Sequence, residues 1–390
     1  MLTFADVIEA LGGPRLETAT TPLVEAAIDS RLVIPGALFA ALPGERTDGH
    51  DYIGQAFERG ANLALIQRSI HSDLRVIALN EIKPGGQLPP PPFCLLVDNS
   101  LTALQQIARW WRRKLDLRVI GITGSVGKST TKELIADVLG QKYRVLKSPG
   151  NLNNEIGLPL TLLRLGRGHD YAVLEMGFYV PGEIAFLCDL AQPQVGVLTN
   201  IGTVHAERAG SQEAIAQGKS ELVSALPPAP HGTAILNDDD DWIRPMARMT
   251  HARVLSYGLN PEAELWADEI ESRGLEGIRF RVHHHDHVFT IRAPLIGRHS
   301  VQTALRAAAV GLVEGMEWQE IIHALMQAKT AFRLSVVHSK NGALILDDTY
   351  NASPDSMMSA LTLLAEMPGR RVAVLGDMLE LGPYEVEGHQ

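Results

Sequence analysis

The stretch GITGSVGKSTTKEL, Gly121 to Leu134, constrains the fold most, because a glycine-rich turn sits between an apolar run and the start of a helix. LRVIGITG has the continuous apolar character of a strand covered on both faces, and KSTTKELIADVLGQ reads as a helix. A turn at that junction aims backbone N–H groups and the positive end of a helix dipole at one point, which suits an anion. Lys128 can reach the outer phosphates of a nucleotide, and Ser129 or Thr130 can give a hydroxyl to magnesium. Gly124, Ser125, Gly127, Lys128, Ser129 and Thr130 are therefore the expected nucleotide-binding loop. Its spacing is unusual: the common pattern wants glycine five positions before Gly127, where Ile122 stands, and the glycines fall at Gly121, Gly124 and Gly127. A plain tight turn is the bland alternative.

A local device of this sort is needed, because 35 basic against 45 acidic side chains leave a net charge of −10, the wrong sign for holding nucleic acid by bulk charge. No stretch approaches the ~20 continuous apolar residues of a membrane helix, and MLTFADVIEALGG lacks the basic start of an export signal. Two isolated cysteines, Cys94 and Cys188, make neither a disulfide framework nor a zinc knuckle. These features predict a cytoplasmic protein without nucleic-acid partner or membrane insertion; a monomer is expected, although the sequence itself does not give the oligomeric state.

The 390 residues predict two to three domains at about 150 residues each. No internal repeat is found. The expected class is α/β: a small N-terminal α/β domain over 1–97, a central phosphate-loop domain with a parallel sheet over 98–332, and an incomplete Rossmann-like domain over 333–390. In the first, LFAAL reads as a strand and KPGGQLPPPP, residues 83–92, as a loop. In the second, NSLTALQQIARWWRRKL is a capped helix on which Trp110 and Trp111 are packing residues. YAVLEMG, VGVLTNIG and GTAILND alternate with helices, which implies a parallel sheet. GIRFRVHHHDHVFTIRAP alternates as an antiparallel hairpin, so His283, His284, His285 and His287 are expected to face opposite sides without converging on a metal. In the third, ALILDDTY and RVAVLGDM read as buried strands flanking the helix SPDSMMSALTLLAEM. Only residues 334–390 follow Arg333, against about 100–150 for a typical domain. This domain is expected to be cut short, with poor ligation as the consequence.

Glu175 and His205 fall at the carboxyl ends of sheet strands, where ligands of open α/β sheets bind, and could hold magnesium there. A capping acid and an ordinary loop histidine are the alternatives. On the helix SQEAIAQGKSELVSAL, Lys219 falls within the arc of Ile215, Leu222, Val223 and Leu226. A lysine there must find a partner, lose its proton, be modified, or snorkel to solvent. NDDDDW is an acidic turn that could cap a helix or set Asn237 beside a nucleotide.

Taken with the phosphate loop, the motifs GNLNNEIGLP, VLEMG, TNIGTVHAERAGS, LNDDD, GRHSVQTALRAAAV and LDDTYNASPDSM resemble the Mur ligases, which build the peptide of bacterial cell-wall precursors. DSRLVIPGALFAALPGERTDGHDYI is similar to a UDP-binding first domain, and LGDMLELG to the member that joins D-alanyl-D-alanine to UDP-N-acetylmuramoyl-tripeptide. The resemblance implies an ATP- and Mg2+-dependent ligase working through an acyl phosphate. It implies that Lys128, Lys219 and His205 are catalytic, with Ser129, Glu175, His205 and a carbamoylated Lys219 as magnesium ligands. Asn154, Asn237, Arg333 and Asp348 would contact nucleotide, and Ser30, Arg31, Asp48, Gly49 and His50 would face the UDP end. Ser300 and Thr303 stand where the family usually has asparagines, and Ala331 where glycine is common. Two other readings remain: a folylpolyglutamate synthetase-like ligase, and a non-catalytic nucleotide- or UDP-precursor-binding fragment.

Overall fold

The computed structural model describes residues 1–70, 74–328, 335–340 and 342–390. Arg333 and Ala331 lie outside them. The chain divides into two compact units: residues 1–117 with 152–170 and 189–191, and the remainder.

The first unit is built on five parallel strands in the order Ala26–Ala27, Leu38–Ala40, Leu63–Ile66, Phe93–Leu96 and Val76–Ala78. Leu38–Ala40 and Leu63–Ile66 are buried throughout, as apolar runs without polar alternation require. Residues 83–92 form an irregular connection, as four successive prolines dictate. The helix Ser100–Arg113 belongs to this unit, so the compact body runs twenty residues past the expected limit at 97, to Leu117. Asn99 caps it by accepting from the Thr102 N–H at 2.8 Å. Trp111 is buried and donates its indole N–H to the Leu165 carbonyl at 2.9 Å, whereas Trp110 is half-buried with the Lys114 ammonium 4.5 Å above its ring. Arg112, also buried, satisfies three carbonyls, those of Ala191, Leu115 and Leu117.

In the second unit, nine of the described strands form one sheet. Val145–Lys147, Tyr171–Glu175, Arg118–Thr123, Val195–Leu198, Thr233–Asn237, Arg253–Gly258 and Leu265–Ser272 run parallel in that order. The expected hairpin is present as Ile278–His284 and His287–Ala293, added antiparallel at the far edge. The helices Lys128–Leu139 and Ser300–Val313 pack together over a core that includes Ile120, Ile122, Val173, Val197 and Leu255. The helix Gln212–Ser224 packs on the strands Arg118–Thr123 and Val195–Leu198. Close approach fixes two sheet glycines there: a Cβ on Gly121 would meet Leu222 at 3.0 Å, and one on Gly196 would meet it at 3.1 Å. Gly121 therefore serves helix-on-sheet packing, not the phosphate turn.

Two expectations for the C-terminal segment change. Leu344–Asp347 is a strand, but its Leu344 and Ile345 are exposed, and it pairs antiparallel with Ser335–His338 in a separate two-stranded sheet. RVAVLGDM, residues 371–378, forms no strand, and Val372, Val374 and Leu375 are exposed. No described strand pairs with it, and an apolar run without a neighbouring ladder has nothing to hold it extended. The helix Pro354–Glu366 forms as expected, with Ser353 as its cap.

Cys94 is buried in the first unit and Cys188 in the second, and burial pushes each thiol up to about 12. In the folded protein at about pH 8 neither should react with a thiol-selective chromophore, since the thiolate is the nucleophile. Denaturation should expose both, each thiol reporting on its own unit. Rapid labelling of the native protein would contradict the burial.

Candidate nucleotide-binding site

The loop takes its shape from the strand beside it. Strand Arg118–Thr123 ends at Thr123, whose hydroxyl donates to the Met176 carbonyl at 3.0 Å. The next residue, Gly124, has φ of 146°, and a Cβ there would lie 1.8 Å from the Thr199 hydroxyl oxygen. Only glycine fits so close an approach. The Ser125 N–H donates to the Asn200 carbonyl at 2.8 Å, the Val126 N–H to Asn200 Oδ1 at 2.9 Å, and the Thr199 hydroxyl to the Val126 carbonyl at 2.7 Å. Gly127, with φ of 82°, stands at the N-cap without a capping side chain, so the helix Lys128–Leu139 presents its first N–H groups to the loop. Lys128 Nζ folds back onto the Gly124 and Ser125 carbonyls at 2.8 and 3.3 Å.

Ser129 turns the other way and donates to Glu175 Oε2 at 2.9 Å. Glu175 is the last residue of Tyr171–Glu175 and is buried. Lys132, one turn along the same helix, is also buried, donates to the Gly150 carbonyl at 2.9 Å, and stands 3.8 Å from Glu175. This cation escaped sequence reasoning, although its spacing of four from Lys128 puts it on the same helix face.

Lys219 is 1% exposed, which removes the snorkelling alternative. Its Nζ lies 4.5 Å from the centre of the Phe178 ring, and no described carboxylate pairs with it. Gly218 makes room for that ring, since a Cβ there would sit 2.0 Å from Phe178 Cε2. Burial above all, with the charge of Lys128, drives the Lys219 ammonium well below its ordinary range, against the smaller pull of Glu183. His205, left-handed at φ of 73°, pairs through Nδ1 with Glu380 Oε2 at 2.5 Å and meets Tyr179 edge-on at 5.0 Å. Burial lowers its imidazole, opposed by the Glu380 hydrogen bond, while Lys219 and Lys128 push the same way as burial. The structure thus gathers Lys128, Ser129, Glu175, His205 and Lys219 into one electrostatic neighbourhood.

A cavity of about 250 Å³ adjoins the loop, lined by Gly127, Thr130, Thr303, Arg306, Asp348 and Ser356 among others. Ser300 and Thr303, the departures from the family pattern, both line it. Arg306, buried, donates to Thr303 Oγ1 at 2.8 Å and to the Tyr257 hydroxyl at 3.2 Å, and its Nε has no hydrogen-bond partner among the described residues. Arginine inside the apolar run ALRAAAV is a signal that sequence reasoning could have used.

Other expected residues fall elsewhere. Asn237 is buried, its amide donating to the Thr199 carbonyl at 2.9 Å and its Oδ1 accepting from the Asp239 N–H at 3.1 Å. It supports the strand end against which the loop packs. The acidic turn is occupied with backbone: Asp240 accepts from Ile201 and Trp242, and Asp239 from Leu259 and Asn260. Asn154 belongs to the first unit, where its Oδ1 accepts from the Ile156 and Gly157 N–H groups. In that unit Ser30 donates to Gln55 at 2.5 Å, and Arg31 is an exposed partner of Asp29. His50 is buried with both ring nitrogens taken, by Asp48 at 2.6 Å and the Gln67 N–H at 3.1 Å. Burial raises the Asp48 carboxyl, but the His50 backbone and ring together with Arg68 outweigh it and hold it at about 2. Gly49 is pressed against Leu42, whose backbone nitrogen a Cβ would meet at 2.7 Å. Asp48, Gly49 and His50 form one packed corner, in which His50 is buried and Asp48 and Gly49 are half-buried.

Three family models fit the chain in succession: the Mur ligase family catalytic domain over 25–109, the Mur ligase middle domain over 122–311, and the Mur ligase glutamate ligase domain over 332–390. A Bacillus subtilis protein named UDP-N-acetylmuramoyl-tripeptide--D-alanyl-D-alanine ligase is 38% identical over 386 residues, 97% of this chain and 78% of the relative. This chain belongs to the Mur ligase family. Among solved Mur ligases, MurF from Acinetobacter baumannii superposes with a TM-score of 0.84 at 32% identity, covering 98% of this chain and 81% of that one. MurF from Thermotoga maritima, solved in complex with ADP, gives 0.78 at 32% identity, covering 94% and 80%. The unusual glycine spacing of the loop is thus set in a Mur ligase middle domain.

Gly124→Ala should lower ATP affinity by more than tenfold, because the added methyl meets Thr199 and the Asn200 backbone at once. Calorimetry that returned the original affinity would show that the loop does not hold the phosphates.

Proposed function

We propose that this Mur ligase joins D-alanyl-D-alanine to UDP-N-acetylmuramoyl-tripeptide at the expense of ATP, a step of peptidoglycan precursor synthesis. The observation that carries the reading is the phosphate loop flanked by Glu175, His205 and a fully buried Lys219, in a chain that aligns along 97% of its length with a relative of that name. A folate ligase leaves the match over residues 25–109 unexplained. The tripeptide's terminal carboxylate oxygen attacks the γ-phosphorus and ADP leaves, giving an acyl phosphate. The amine of D-alanyl-D-alanine then attacks the acyl carbon, phosphate leaves, and the amine's proton is lost to form the amide. Phosphate release that requires both substrates tests the reading; release with ATP alone, or none, would reject it.

Lys128 would hold the outer phosphates, exchanging the Gly124 and Ser125 carbonyls for phosphate oxygens. Gly124, Ser125, Gly127 and Thr130 would cradle them with backbone and hydroxyl donors. Asp348 and Arg306 line the adjoining cavity, a space suited to the rest of the nucleotide. Arg333 and Asn154 are carried as nucleotide contacts by family resemblance. Ser30, Arg31 and Asp48 would meet the UDP end, with Gly49 and His50 shaping the corner that holds Asp48.

The Ser129 hydroxyl and Glu175 carboxylate are hard oxygen donors beside the loop, a donor set that suits magnesium. His205 keeps Nε2 for it, since Nδ1 faces Glu380. When bound, magnesium neutralises the charge that builds on the transferring phosphoryl group. A free Lys219 ammonium does not fit as a ligand, but its lowered pKa exposes a neutral amine. That amine can form a C–N bond to carbon dioxide and release a proton, leaving a carbamate of the right charge. ATP and a UDP-linked precursor as substrates support the cytoplasm as its compartment.

Lys128→Ala should abolish measurable ATP binding and turnover with the fold intact, and arginine should not rescue it, since a planar fork does not replace a compact ammonium. ATP affinity equal to the unsubstituted protein would sink the assignment. Lys219→Ala should lose activity that excess short carboxylic acid partly restores, and Lys219→Glu should keep a little, having the charge without the reach. Full activity of Lys219→Ala without added acid would exclude the carbamate.

A further inference from the structure

The hairpin Ile278–His284 and His287–Ala293, at the sheet edge, carries imidazoles that the ligation does not use. Strand alternation separates two of them. His283 stacks on its cross-strand partner Trp266 at 3.7 Å and pairs with Asp268 at 3.0 Å. His284 takes the other face, with its ring 5.8 Å from that of Trp318. The turn overrides the alternation for the next residue. His285 is left-handed, with φ of 52°, and its ring swings to 4.2 Å from that of His284. Glu264 directly precedes the strand Leu265–Ser272, and Leu265 is the register partner of His284. Glu264 Oε1 therefore sits 3.9 Å from the Nε2 atoms of both His284 and His285, and one ligand atom from each of the three lies within 4.8 Å of the others. The expectation that this tract cannot converge holds for His283 and fails for His284 and His285.

We propose that Glu264, His284 and His285 bind a divalent transition-metal ion of the zinc class. Two imidazoles with one carboxylate select zinc, nickel or copper over magnesium, which wants oxygen ligands throughout. Ligand atoms around tetrahedral zinc stand ~3.3 Å apart for bonds of ~2.0–2.1 Å. Closing from 3.9 Å at Glu264, and from within 4.8 Å over the whole set, needs a shift that His285, 64% exposed, can make. His287, the register partner of His284 across the turn, or water can fill the fourth position. The neutral imidazole is the ligating form of both histidines. Arg253 donates to the same Glu264 Oε1 at 3.0 Å, a contact that the metal would share or displace. Bound there, the ion ties the start of the strand Leu265–Ser272 to the tip of the hairpin.

The test is titration of the full, chelator-treated chain with Zn2+ alone, by calorimetry and by thermal melting. The native protein should show one saturable site at this tract and a Zn2+-dependent rise in Tm, as a ligand of the folded state must give. His285→Asn keeps the left-handed turn, which asparagine tolerates, and Glu264→Gln keeps the shape of the carboxylate. Each should weaken Zn2+ binding by at least about tenfold and leave magnesium-dependent ligation unchanged. Absence of saturable binding in the native protein overturns the site, as does unchanged affinity in either variant.

Discussion

The approach of the Gly124–Val126 backbone to Thr199 and Asn200, at the end of the neighbouring strand, is the contact on which the rest of the site depends. Three hydrogen bonds and a gap too narrow for a methyl group hold the loop in one conformation. That conformation sets where the helix Lys128–Leu139 begins, and hence where Lys128 and Ser129 project from its first turn. Asn237 and Tyr257, both buried, bond to the Thr199 carbonyl from the next two strands and extend the support across the sheet. A loop held this way needs little further ordering, so an anion that binds it spends little free energy on that account.

Around this frame the protein buries charge that an ordinary core would exclude. Lys132 offsets its burial by reaching the Gly150 carbonyl and the Glu175 carboxylate, and Arg306 by bonding to Thr303 and Tyr257. Among the described residues, Lys219 has only the face of Phe178. Burial with so little compensation draws the Lys219 ammonium well below its ordinary range. The carboxylate Glu380 lies far along the chain from His205, yet it holds that imidazole, so the C-terminal segment shapes this centre as well as the cavity beside the loop.

The sequence by itself determined the strand–turn–helix of the phosphate loop, the parallel order implied by alternating strands and helices, the hairpin at the edge, and the suspicion attached to Lys219. Each of these rests on local chemistry: apolar period, glycine in a turn, a polar residue within an apolar arc. Tertiary structure decided the rest. It gave Gly121 to helix packing, turned Asn237 and the acidic run into supports for backbone, and closed both nitrogens of His50 into a packed corner. RVAVLGDM has the composition of a strand and is not one, because a strand exists only with a partner ladder. His285 joined His284 because one turn residue took a left-handed φ, which strand periodicity does not encode. Composition and period report what a residue prefers; which atoms it finally meets is set by strand register, helix seating and turn geometry, and these exist only once distant segments have packed.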